Sequence, residues 1–182
     1  MSEEQKKQNK KISELLSKLN SKEEKEVLSG VKGLKNHGNE TVIEPLVAVF
    51  CSTDSEKVKA EITDLFNTIK STKVPAQIAS LLNNPDYVKA RHTLLISIWS
   101  TGLDYNPYMA EIAQAAVNGE LMEAIECITI IENLEKGLDE DEIMDALLIF
   151  KTYLVETKDE NSPKNDIIRD IVILLQQMND SV

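Results

Sequence analysis

The chain predicts an all-α fold in which about five short antiparallel helical pairs stack into a solenoid. Three observations lead there. Val58-Lys59-Ala60-Glu61 recurs as Val88-Lys89-Ala90-Arg91 thirty residues later, each copy after an acidic helix start, at Asp54 and Asp86. The second helices of successive pairs are expected to begin near residues 22, 54, 86, 120 and 163. A period of about 20 to 50 residues marks a stacked repeat. Apolar residues recur at helical spacing throughout, with no sustained strand alternation. Aromatics are only 4% of a chain that is 42% apolar, so Leu, Ile, Val and Ala carry the burial. That balance suits helix-on-helix packing.

Residues 1–11 are Glu/Lys/Gln-rich and are expected to form a flexible tail before a single domain over 12–182. Ile12, Leu15, Leu16 and Leu19 mark the first apolar stripe. Ser21 with Glu24 has the spacing of a capping box, in which each side chain satisfies the other residue's free N–H. The next helix carries Val27, Leu28, Val31 and Leu34 and is expected to end in a left-handed turn at Gly38. Asn39 opens the following element. Pro45 inside it must kink the helix or mark its first turn, because proline lacks the N–H. Thr53 with Glu56 reads as a second capping box, before Val58, Ile62, Leu65, Phe66 and Ile69.

A short helix is expected over Val74–Leu82. Asn84-Pro85 then starts a helix that runs to Gly102, and Asn106-Pro107 repeats the signal. Gly119 breaks the chain before Leu121, Ile125, Ile128 and Ile131. Asp139 with Glu142, then Ser162-Pro163, start the last two helices. Ten helices with loops of about two to six residues fit antiparallel neighbours.

Gly38-Asn39-Glu40, Ile43-Glu44-Pro45-Leu46, Phe50 and Asp54 with Val58-Lys59 together resemble HEAT repeats. Pro45 and Pro75 match the family's first-helix proline, while Val58-Lys59 and Val88-Lys89 match its second-helix element. The likeness is good over residues 38–102 and partial over 103–136. It implies a right-handed α-solenoid whose second helices form a concave face, and a role in protein binding or scaffolding. The fold also hosts a DNA glycosylase class and chromophore-lyase subunits, which makes an enzyme or enzyme helper the alternative.

Charge weighs against that alternative. The net charge is −11, divided as +3 over residues 1–38, −1 over 39–103 and −13 over 104–182. A polyanionic half repels phosphate backbones, so nucleic acid is not the expected ligand and a basic protein or peptide fits better. Cys51 and Cys127 sit in apolar helical runs, as small hydrophobes do in a reducing cytosol. No run approaches the roughly 18 apolar residues of a membrane span. A cytoplasmic protein without a membrane segment is expected.

Chemistry-bearing clusters are weak. His37 and His92 have no partner at zinc spacing, and His92 is expected to be a hydrogen-bonded residue at a packing surface. Asp139-Glu140-Asp141-Glu142 reads as helix-start acids rather than a cation site. The Asp159–Lys164 stretch lacks a calcium loop's glycine. No Walker, Gly-x-Ser-x-Gly or His-Glu-x-x-His pattern occurs. No catalytic residue, cofactor or metal is therefore expected.

Comparing the repeats supplies the candidate site. The row Lys57, Glu61, Asp64, Thr68 becomes Tyr87, Arg91, Leu94, Ile98 thirty residues on, and Met122, Glu126, Thr129, Asn133 in the next helix. The middle row reads as an apolar patch rimmed by Tyr87 and Arg91, provided Leu94 and Ile98 are exposed. The partner-binding residues expected are Glu61, Asp64, Tyr87, Arg91, Leu94, Ile98 and Glu126. A third reading gives the apolar face of the last helix (Ile167, Ile168, Ile171, Val172, Leu174, Leu175) to a homodimer contact.

Overall fold

Short polar side chains that accept backbone N–H groups mark where several helices of this chain begin. The computed structural model describes residues 3–134, 136–158 and 161–180. Ten α-helices form among them: α1 (Glu3–Leu19), α2 (Glu24–His37), α3 (Ile43–Ser52), α4 (Glu56–Thr68), α5 (Val74–Leu82), α6 (Val88–Thr101), α7 (Met109–Asn118), α8 (Leu121–Glu132), α9 (Glu140–Glu156) and α10 (Pro163–Asn179). Asn84 accepts from Asp86 N, Asp139 and Glu142 cap each other's backbone, and Ser162 accepts from Asn165 N, all as the sequence predicts. Short 3₁₀ turns over Glu40–Val42, Pro85–Tyr87 and Asn106–Tyr108 lead into α3, α6 and α7.

Several starts differ from expectation. Helix α1 begins at Glu3, so residues 3–11 are helical and exposed where a tail is expected. Their polar side chains show no apolar period, but they extend a helix already anchored by Ile12 and Leu15, and extension costs less than nucleation. Ser21 accepts from Glu23 N without forming a box with Glu24, and Ser55 rather than Thr53 caps α4. Gly38 is extended (φ −70°), not left-handed. Its need for glycine is a close approach, since a Cβ there would meet Leu34 O at 2.6 Å. Gly102, at φ 64°, is the left-handed helix end. Pro45 and Pro75 both lie in first turns, where the missing N–H costs no hydrogen bond.

Packing follows two rows. The second helices touch in the order α2, α4, α6, α8, α10, and the first helices in the order α1, α3, α5, α7, α9. Each helix also packs on its pair mate. Each helix of the second row buries at least one residue completely, among them Val31, Ile62, Leu94, Cys127 and Ile171. Basic side chains from one pair bind the helix ends of another. Lys70 donates to Thr101 O at 2.6 Å, and Lys164 donates to Val117 O and Gly119 O at 2.7 and 2.6 Å. Carbonyls at helix C-termini lack intrahelical partners, so these cations satisfy both hydrogen bonding and the helix dipole.

The apolar face of α10 is used within the chain. Ile168, Ile171, Val172 and Leu175 are buried, and Ile167 and Leu174 are half-buried. That face is therefore not free for the dimer contact expected of it. Cys51 and Cys127 are both free thiols, and burial alone pushes Cys127 up to about 12. Among the described residues no helix is long and apolar enough to cross a membrane.

Candidate functional site

The second-row helices meet side by side, and their polar side chains bridge the seams. Between α2 and α4, Lys32 lies 3.8 Å from Glu61, and Lys35 pairs closely with Asp64. Between α4 and α6, Ser100 donates to Asn67 Oδ1 at 3.1 Å. Between α6 and α8 both oxygens of Glu126 are engaged: His92 Nε2 lies 3.2 Å from Oε1, and Trp99 Nε1–H donates to Oε2 at 2.9 Å. Glu126 is buried, while Trp99 is 41% exposed. A buried carboxylate needs such partners, and here it holds the indole of the chain's single tryptophan in one orientation.

Trp99 stands at the mouth of a cleft of about 140 Å³ lined also by Ile98, Leu103, Tyr105, Ile130 and Leu134. Asp104 and Lys136, 3.8 Å apart, sit at its rim. Tyr105 is buried and its hydroxyl has no hydrogen-bond partner at normal distance. Burial raises its pKa far above the ordinary phenol value, and the neighbouring Thr101 hydroxyl opposes this in part. Asn106 and Asn133 also line the cleft, so its surface mixes apolar and polar groups.

The predicted partner-binding residues separate into three groups. Glu61, Asp64 and Glu126 do lie along the second-row seams. Tyr87 belongs elsewhere: its hydroxyl donates to Glu44 Oε1 at 3.2 Å, toward α3. Desolvation, then Glu44, raises its pKa. Leu94 and Ile98 are buried, so the apolar patch expected of them is core packing rather than a surface. Arg91 is no rim residue either. It is 6% exposed, its Nε–H donating to Leu82 O at 2.9 Å and Nη1 to Asn118 O at 3.3 Å, which ties the ends of α5 and α7 together.

The reason is register. At an offset of thirty, α6 is read two residues out of step with α4. At 32, the buried residues Val58, Ile62, Leu65 and Phe66 align with Ala90, Leu94, Ser97 and Ile98, all buried. Two residues turn a helix by roughly 200°, so the thirty-residue offset sets an outer row of α4 against an inner row of α6.

In the sequence Trp99 and Leu134 both read as ordinary apolar positions. The available signal was the spacing of His92 and Trp99, seven residues apart on one helix face. Among the described residues no three His, Cys, Asp or Glu side chains converge to hold a metal. Comparison with known proteins adds no relative: no family model, no curated protein and no solved structure matches the chain.

Proposed function

We propose that the chain is a non-enzymatic interaction scaffold, a right-handed HEAT-like solenoid of five helical pairs, that binds a peptide or protein on the face of its second helices. The ordered side-by-side contacts within each row support the repeat architecture. So do cross-pair ties at sequence separations near thirty, including Glu61–Lys32 and Glu126–His92. The observation that carries the binding role is Trp99, an exposed aromatic held by Glu126 beside a cleft of mixed apolar and polar lining. Rigid aromatics of this kind anchor interfaces because little side-chain entropy remains to be lost on binding. The bound segment inserts an apolar residue beside Trp99 and carries basic residues toward the acidic C-terminal half. A cytoplasmic location accords with two free thiols. A glycosylase-like role would require a basic groove, against the −13 of residues 104–182.

Selection from a displayed peptide library, followed by titration of the selected peptide, tests this. As the sole tryptophan, Trp99 reports directly: its emission is expected to shift to the blue on binding, and Trp99→Ala to lose affinity. Selected peptides that bind Trp99→Ala as tightly as the parent would sink the reading.

A further inference from the structure

The chain covers one of its aromatic rings with a cation and leaves another bare. Lys164 Nζ lies 4.7 Å from the centroid of the Tyr153 ring. Among the described residues no lysine or arginine lies over Trp99, although indole is the aromatic face that attracts a cation best. Trp99 is 41% exposed, and its one polar atom is committed, since Nε1–H donates to Glu126 Oε2 at 2.9 Å. The ring surface left to solvent asks for no hydrogen bond.

Glu126 makes that ring a better cation site than an ordinary surface tryptophan. Its carboxylate is buried, so its charge acts on the indole with little screening. A hydrogen bond to a carboxylate also polarises the donor, which deepens the negative potential of the ring face. Further negative charge lies close by. The cleft residues Gly102 and Leu103 follow the C-terminus of α6, and Asn133 and Leu134 follow that of α8, so two negative dipole ends meet there. Asp104 stands at the rim, and Glu132 is exposed at the last residue of α8. Against these stand Lys136, 3.8 Å from Asp104, and Lys70, 2.6 Å from Thr101 O, each already engaged. His92 adds positive charge only when protonated.

Charge and shape together select the occupant. A guanidinium is flat and weakly hydrated, so it stacks on a ring while its N–H groups stay in plane for carboxylates or water; an ammonium must first shed tightly held water. A neutral side chain would gain nothing from the charge of Glu126. We propose that the segment bound at Trp99 carries an arginine whose guanidinium lies on the exposed indole, beside the apolar residue that enters the cleft. This rests on Trp99 being the anchor of the peptide-binding face, and it names the residue type that the anchor selects.

The test uses the full chain and a fluorescein-labelled peptide selected for it from the displayed library. Anisotropy is read at about pH 8, where an ordinary histidine is uncharged. The selected peptides are expected to share an arginine. Replacing it by citrulline, its neutral isostere, should weaken binding about fivefold, and lysine should recover only part of the loss. Trp99→Leu keeps apolar bulk and removes the ring, so the arginine–citrulline difference should fall below about twofold. Glu126→Gln, which keeps an acceptor for the indole N–H, should shrink the difference as well. Selected peptides without arginine, equal binding of the citrulline peptide, or a difference undiminished in both variants overturns the proposal and leaves the anchor role of Trp99 standing. A library that yields no binder, or Trp99→Ala binding the selected peptide unchanged, removes that role and the proposal with it.

Discussion

Helices α4 and α6 carry the same Val-Lys-Ala letters and use them on different faces. Val58 is 1% exposed in α4, whereas Val88 is 49% exposed in α6. Lys59 pairs with Glu56 on its own helix, while Lys89 reaches the carbonyl of Cys51 on α3. The difference comes from the preceding turn. Ser55 caps α4 directly, so Val58 is its third residue. Asn84 caps a 3₁₀ turn over Pro85–Tyr87, so Val88 is the first residue of α6. A repeated tetrapeptide therefore locates two helices without aligning them. Burial aligns them, and it pairs Lys59 with Arg91 and Ile62 with Leu94.

The sharpest way to break this alignment is core truncation. Ile62→Ala and Leu94→Ala should each cost about 2–5 kcal/mol in urea unfolding, while Val88→Ala stays within about 0.5 kcal/mol of the parent. A Val88→Ala loss equal to that of Val58→Ala would restore the thirty-residue register. Arg91 gives the next effect. Arg91→Ala leaves the Leu82 and Asn118 carbonyls without their donor and should cost about 1–3 kcal/mol. Its in-register counterpart, Lys59→Ala, loses an exposed pair and should cost less than about 1 kcal/mol. Equal thermal shifts for the two variants would contradict the assignment of Arg91 to the interior. The smallest effects belong to the outer row of α4: Glu61→Gln and Asp64→Asn should each move stability by no more than about 1 kcal/mol, and by less as salt is raised. A larger, salt-independent loss would mean that this row is structural rather than open surface.

Local signals explain what was legible beforehand. The Val74–Leu82 helix and the starts at Asn84, Asp139 and Ser162 depend on proline, apolar spacing and one capping side chain, all within a few residues. Ser21 and Thr53 misled because another residue close by begins the helix, Glu23 in one case and Ser55 in the other. Of the candidate site, Glu126 was legible as a second-helix residue. Its bonds to His92 and Trp99 were not, since they join residues 34 and 27 positions apart across two helices.

The sequence by itself determined the helices, most of their limits, their number and the unequal spread of charge. These follow from apolar period, caps and residue counts. Only the tertiary structure decided which face of each helix turns inward. Helical period fixes the angle between two residues on one helix but not the rotation of that helix against its neighbours. That rotation buried Leu94 and Arg91, brought Trp99 to Glu126, and left Met144, Leu148 and Val155 of α9 exposed.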